Sequence, residues 1–416
     1  LGSKPIRVNF AALLTTAFTL LFVLFQILYW LAALGIAHTY LFYPVLIKWL
    51  ARGRELNTNT YTPTDELPEV VILMAVYNEE GVISQKLHSI FDTHYPLNKV
   101  KLWIGSDNST DKTHSVITQF KHRYPQLELT VYEGRNGKPR ILNRLMEANA
   151  HRLPPDTVLV LTDANVLFTP QLLFQLVKHF KNPTTGVVGA NVLNIGVKET
   201  GISFQEMWYI RRENVVKHYE SIAGGCMMGA FGACFALRSP LYEPIPPNFV
   251  VDDFYLTMVA LERRFTALKE LEAVCYEDVS EDISEEYRRK KRISSGNFQN
   301  LHRFKKLLLP QNGMVAFCFF SHKVLRWFTP GLWMVMLLIS GYLAMRTNVY
   351  HWLFVMQLAT LLPWFADAVL SKVNINVKLF RFVRYFYLMN LGLLIGFLTY
   401  LKGIDTNVWK PTKRNT

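Results

Sequence analysis

The sequence predicts an α/β domain built on a mostly parallel sheet, with membrane helices attached at both ends. Three observations carry this reading. Residues 58–284 alternate short β-branched or leucine-rich runs with amphipathic stretches, and no hairpin signal separates the runs. The chain opens with an apolar stretch over 10–50. Three more apolar segments, 329–345, 352–370 and 382–401, lie toward its other end.

The N-terminal stretch ends in Lys48, Arg52 and Arg54. A helix of that length would extend roughly 60 Å, twice a hydrocarbon core. Either two short spans meet near Gly35-Ile36-Ala37-His38, or one span continues into an interfacial helix near Pro44. The stretch is too long for the apolar region of a cleaved signal peptide, and no small-residue cleavage pattern follows. The runs 70–74, 99–104, 127–131 and 158–161 predict strands covered on both faces. Such sheets place their chemistry in the loops at the carboxyl ends of the strands. A basic, helix-like segment (285–309) and an amphipathic stretch (315–328) with His322, Lys323 and Arg326 come next; the second has the pattern of an interfacial helix, with His322 as a structural or headgroup contact. The expected organisation is a membrane segment (1–54), an α/β domain (55–284), basic and interfacial helices (285–328) and a transmembrane region (329–416).

Charge and composition exclude several classes. The net charge is +13, but residues 288–416 hold 19 Lys and Arg against two acids, Asp367 and Asp405, leaving −4 for residues 1–287. The excess thus lies in the most apolar third, which points to a bilayer and away from nucleic acid. Cations cluster at Lys372, Lys378, Arg381 and Arg384, and again at Lys402, Lys410, Lys413 and Arg414. If all three C-terminal segments cross, the two clusters face opposite sides, against the positive-inside tendency; either the third does not cross fully or the rule is broken here. The 4 cysteines lack C-x-x-C spacing, which excludes a structural zinc site of the usual kind.

The candidate chemistry follows the strands. Ala75-Val76-Tyr77-Asn78-Glu79-Glu80 succeeds the first, Asp107-Asn108-Ser109-Thr110-Asp111 the second, and Asp163-Ala164-Asn165 the fourth. Singly these are turn formers or helix caps. Together they converge on one crevice, and converging carboxylates are costly unless a cation, a base edge or a ribose uses them. Gly137-Lys138, Asp252-Asp253-Phe254 and Arg288-Arg289-Lys290-Lys291-Arg292 add further polar groups. The glycine-rich run 224–238 suits close approach of a sugar and close strand packing equally.

In this order and spacing the motifs resemble the family 2 glycosyltransferases, whose fold is the GT-A nucleotide-sugar-binding fold. The resemblance implies an inverting hexosyltransferase taking a nucleotide sugar, with UDP the expected nucleotide, to a lipid-linked or polysaccharide acceptor at the membrane. It implies that Tyr77 and Glu79 line the nucleoside, Asp107 meets the base, Lys138 lies near the base or phosphates, and Asp163 sits at ribose and diphosphate. Arg289 and Arg292 would steady the diphosphate, and Asp253, supported by Asp252, would be the general base. A divalent metal, Mg²⁺ or Mn²⁺, is implied as cofactor. Its ligands would be Asp163 and Asn165, the latter standing where the family carries a second Asp. Membrane lipids are implied partners, and the implied place is a bacterial inner membrane with a cytosolic catalytic domain. Processive polysaccharide synthases of this family carry Q-x-x-R-W; Arg289 and Ile293 replace its Gln and Trp here, which weighs against processive extrusion. That activity and a non-catalytic scaffold are the alternatives.

Overall fold

The computed structural model describes residues 10–197, 203–278, 282–373 and 375–404. Lys410, Lys413 and Arg414 of the terminal cation cluster lie outside them. Helix α1 (Phe10–Ala37) runs through a π-helical turn, His38–Phe42, into α2 (Tyr43–Leu50). Pro44 explains the turn, since it has no N–H to offer the carbonyl four residues back. Of the two expected arrangements the second is closer: one continuous helical run whose last piece, α2, packs on the catalytic unit through buried Tyr43 and Ile47.

Next come β1 (Val70–Val76), α3 (Ile83–Phe91), β2 (Val100–Ser106), α4 (Thr113–Arg123), β3 (Leu127–Val131), α5 (Lys138–Asn149) and β4 (Val158–Thr162). These are the four strands expected from the sequence, and they pair in parallel in the order β3-β2-β1-β4. Every residue of β1 and of β4 is buried, as a sheet covered on both faces requires. The order reverses at β1, and in open α/β sheets such a switch point opens a crevice at the strands' carboxyl ends.

The sheet then departs from expectation. After β5 (Val166–Phe168), α6 (Leu172–Val177), β6 (Thr185–Ile195), α7 (Ser203–Gly224), β7 (Cys234–Arg238), α8 (Asp252–Glu262) and β8 (Thr266–Asp278), it has eight strands in the order β3-β2-β1-β4-β7-β6-β8-β5. The β4–β7, β6–β7 and β5–β8 pairings are antiparallel. The sheet is parallel-dominated, as expected, and the departure is the antiparallel placement of β5 and β7.

The basic segment forms α9 (Ile283–Phe304). In the expected interfacial stretch, α10 (Met314–Cys318) leads into a π-helical turn, Phe319–Val324, where Phe319, Ser321, His322 and Lys323 are buried. His322 and Lys323 find the carboxylates of Glu213 and Glu220 there. Then follow α11 (Leu325–Ala344), α12 (Asn348–Ala359), α13 (Leu362–Leu370) and α14 (Lys378–Lys402).

Two compact units result: 1–42 with 325–390, and 43–324 with 391–416. Among the described residues, four helical stretches, Thr16–Leu50, Met314–Ala344, Asn348–Leu370 and Lys378–Lys402, are long and apolar enough to cross a membrane. In the first unit Tyr29, Ile339, Leu343 and Tyr350 form a small core, and buried Asp367 meets Arg384 at 3.1 Å and Arg381 at 3.7 Å. Those two arginines thus serve an internal carboxylate.

In the catalytic unit α9 is held on two sides. A Cβ on Gly296 would stand 2.5 Å from Val251 Cγ2 and 3.2 Å from the Val251 nitrogen, so the absence of a side chain lets α9 touch the segment that starts α8. Ser294 Oγ donates to the Leu393 carbonyl at 2.8 Å, and Phe298 packs on Phe397 with ring centroids 4.7 Å apart. Gly296→Ala should therefore lower the thermal midpoint of the detergent-solubilised protein, at a cost of about 1–3 kcal/mol. An exposed helical glycine would give a rise on the same substitution.

Candidate functional site

The ends of β1 and β2 lie side by side, with Val76 opposite Ser106, so Tyr77 and Asp107 leave the sheet together. Asn78 and Asn108 take positive φ of 52° and 64°, a region asparagine tolerates better than most residues, and so turn both loops. The loops are tied to each other: the Asn78 amide donates to Ser109 Oγ at 3.1 Å, and the Thr110 amide to Asn78 Oδ1 at 2.8 Å. The Glu79 amide donates to Thr113 Oγ1 at 2.9 Å, where α4 begins, and the Glu79 side chain is buried.

Asp107 is wholly buried, and its carboxylate accepts from the Asn136 amide at 2.5 Å, the Gly137 amide at 3.1 Å and Arg135 Nε at 3.1 Å. Three donors, one of them cationic, offset the cost of desolvating the charge. The Arg135 guanidinium in turn lies 3.2 Å over the Tyr77 ring, a cation–π contact. Tyr77, Asp107 and Arg135 therefore form one wall.

Lys138 opens α5 directly after Gly137 and connects this wall to a second cluster. Its ammonium stands 2.7 Å from Asp163 Oδ1, 3.6 Å from Asp252 Oδ2 and 3.5 Å from the Gly232 carbonyl. Burial alone would pull Lys138 down, but Asp163 and Asp252 outweigh it and hold the ammonium above the usual lysine range. Asp252 and Asp253 occupy the first turn of α8, and neither caps it: the residue before them has no side-chain capping bond. Asp253 Oδ1 accepts from the Phe254 amide at 2.8 Å, and a Cβ on Gly232 would come within 3.1 Å of its Oδ2. Burial and the adjacent Asp252 carboxylate push Asp253 up to about 6. A side chain at Gly224, Gly225, Gly229 or Gly232 would strike Met314, Thr266, Phe254 or Asp253, so close packing within the protein accounts for this glycine-rich run.

Arg292 and Arg289 come from α9. The Arg292 guanidinium is exposed and makes no hydrogen bond or ion pair among the described residues. Desolvation by the surrounding protein and the Arg289 charge press its pKa down, while Asp252, Asp163 and Asp253 work the other way, so it lies within electrostatic reach of the same carboxylates. Arg289 lies 3.6 Å from Glu286, and Arg288 and Lys290 are paired with Glu285 and with Glu206 and Glu286. The run of cations is thus divided between internal partners and the crevice.

Residues 158–367, about half of the chain, match Glycosyl transferase family group 2, and residues 71–242 match Glycosyl transferase family 2. The chain belongs to the family 2 glycosyltransferases. It is 31% identical over 124 residues to a beta-monoglucosyldiacylglycerol synthase of Synechocystis sp., covering 29% of this chain and 25% of that protein. It is 24% identical over 199 residues to a poly-beta-1,6-N-acetyl-D-glucosamine synthase of Staphylococcus epidermidis, covering 44% and 46%. The matches span from a quarter to under half of these relatives' own length. A mannosyltransferase from Pyrobaculum calidifontis, solved in complex with GDP-Man and Mn²⁺, superposes with a TM-score of 0.64 at 19% identity, over 90% of this chain and 99% of that one. The likeness shows the GT-A fold.

For a family 2 glycosyltransferase the position of Asn165 has a local explanation. Glu277 of β8 stands opposite Val166 in the β5–β8 register, beside the Asn165 side chain, which favours its charged form. Burial raises the Glu277 pKa, against the pull of Arg289. A carboxylate at 165 would face that of 277. Sequence reasoning missed Glu277 because β8, with Lys269 and Glu270 buried in it, does not read as an apolar strand. It also missed Arg135, whose only signal is a cation three residues before the lysine of the Gly-Lys motif, and Lys86. Fully buried Lys86 donates to Thr162 Oγ1 at 2.9 Å and to the Val166 carbonyl at 2.5 Å, bracketing the turn that carries Asp163 and Asn165. Asp107→Ala should orphan two amides and Arg135 at once, costing about 3–5 kcal/mol and lowering the unfolding midpoint in urea.

Proposed function

We propose that the chain is an inverting glycosyltransferase that moves a sugar from a nucleotide donor, with UDP sugars first to be tried, to a lipid-linked or polysaccharide acceptor at the membrane. The observation that carries this is the meeting of Asp163, Lys138, Asp252, Asp253 and Arg292 at the switch-point crevice, next to the Tyr77–Asp107–Arg135 wall. The wall suits a nucleoside, with an aromatic face beside a buried carboxylate. Lys138, Arg292 and Arg289 supply positive charge where a diphosphate leaves.

Asp253 is the base of this proposal. It takes the acceptor's hydroxyl proton while the acceptor oxygen attacks the anomeric carbon, and the bond from that carbon to the diphosphate oxygen breaks with its electrons going to the diphosphate. Asp252 holds Lys138 in place and keeps Asp253 basic.

A divalent ion fits in part. Asp163 and Asn165 provide hard oxygen atoms at one turn, and no group of three metal-binding side chains occurs among the described residues. That incomplete shell is what Mg²⁺ or Mn²⁺ uses when substrate phosphates and water complete it. The bound ion would add positive charge at the leaving diphosphate; Asp163 and Asn165 would hold it.

The membrane helices fit a cytosolic catalytic unit at a bacterial inner membrane, with lipids as partners. The C-terminal part of α14, from Leu391, packs with that unit on α9, and its first turns carry Lys378, Arg381 and Arg384. The end that carries Lys402 is therefore assigned to the cytosolic side. Lys402→Cys in spheroplasts should react with a membrane-impermeant maleimide only after lysis, the native cysteines being buried. Reaction in intact spheroplasts would refute this topology.

Release of nucleoside diphosphate across a panel of nucleotide sugars, with and without Mg²⁺ or Mn²⁺, tests the activity; product length separates single transfer from polymer synthesis. Asp253→Asn should abolish transfer and leave donor Kd within about threefold. The base must be ionised to act, and its pKa lies at about 6. Transfer should therefore plateau above that pH and fall as pH drops through it.

A further inference from the structure

The ring of contacts around Glu220, below the glycine-rich loop, has no part in the chemistry described so far. Glu220 is at 0% exposure, and each carboxylate oxygen has an assigned donor. Oε1 accepts from Tyr43 Oη at 2.6 Å and faces His322 Nδ1 at 2.6 Å; Oε2 accepts from the Met228 amide at 2.9 Å. The other ring nitrogen of His322 lies 3.0 Å from Glu213 Oε1, and Lys323 Nζ donates to Glu213 Oε2 at 3.1 Å. Burying this many charges is costly, and their complete mutual pairing fixes one geometry.

That geometry ends on the loop 226–233. Two residues past Met228, the Ala230 amide donates to Thr257 Oγ1 at 3.0 Å, and Thr257 donates to the Asp253 carbonyl at 2.7 Å. Gly232 faces the Asp253 carboxylate and gives its carbonyl to Lys138, and the Ala233 carbonyl accepts from the Asp163 amide at 3.2 Å. One short loop thus touches the base, the lysine and the donor-side aspartate. With three glycines in 225–232 it has little stiffness of its own, so its anchors set its path.

We infer that Glu220 is a positioning residue, whose carboxylate, fixed by Tyr43 and His322, holds the loop 226–233 against Asp253 through the Met228 amide. Tyr43 directly follows one π-helical turn and His322 lies within the other, each in a helix that runs on into an apolar stretch. The acceptor side of the crevice is therefore shaped from two of the three places where the chain passes between its two compact units. The inference rests on the reading of Asp253 as the base.

The test uses full-length protein in nanodiscs. Glu220→Gln keeps the shape and removes the charge. Amide hydrogen exchange in 226–233 should rise at least about tenfold, with peptides around Asp107 unchanged. With water as acceptor, kcat for diphosphate release from the nucleotide sugar that the wild-type protein turns over should fall about tenfold at a donor KM within about twofold. Tyr43→Phe, which removes one bond and keeps the carboxylate, should move both readouts the same way by about threefold, and it serves if Glu220→Gln does not fold. Unchanged loop exchange, or donor KM rising in step with the loss of kcat, would overturn the inference. A wild-type protein that releases no diphosphate from any nucleotide sugar sinks the proposed activity instead, and the exchange readout still decides whether Glu220 holds the loop.

Discussion

One ammonium group organises the crevice. Asp163 at the end of β4 and Asp252 and Asp253 at the start of α8 would repel each other without a cation among them, and Lys138 is that cation. The lysine cannot move freely, because the residue before it is bonded to buried Asp107. A carboxylate after β2 thereby sets the position of a cation that serves carboxylates after β4 and before α8. The four parallel strands matter to function because they bring these loops to one edge.

How much of this the sequence showed depended on how cleanly each element repeats its pattern. Strands β1 to β4 are short apolar runs between amphipathic helices and were legible directly. Strands β6, β7 and β8 were not, because β7 hides in a glycine-rich run and β8 carries Lys269 and Glu270 in buried positions that only distant partners make tolerable. Lys269 needs the Ala190 carbonyl, and Glu270 needs His179 and Lys178. The site divides in the same way. Aspartates at strand ends were visible by position, and the structure brings Asp163, Asp252, Asp253 and Lys138 together. Arg135, Lys86, Glu220 and Glu277 were not visible, since each acts on a residue far away in the chain.

The charge excess reads differently once partners are assigned. It looked like a cationic tail meeting lipid, but Arg288, Arg289, Lys290, Arg303, Lys323, Arg381 and Arg384 all have carboxylates within 4 Å. The acids that offset them lie earlier in the chain, apart from Glu285 and Glu286 beside them and Asp367 beyond. Much of the separation of charge along the sequence is therefore cancelled within the fold.

The placement of α9 between the Val250–Val251 segment and α14 bears on the order in which the protein is made. Arg289 and Arg292 leave the ribosome well before α14, yet the helix that presents them gains one of its two walls only when Leu393, Gly396 and Phe397 arrive. Until then a nascent chain can close its sheet around β1 and pair Lys138 with Asp163, but it presents the crevice without its arginines fixed. The arrival of α14 is thus a late assembly step for this crevice.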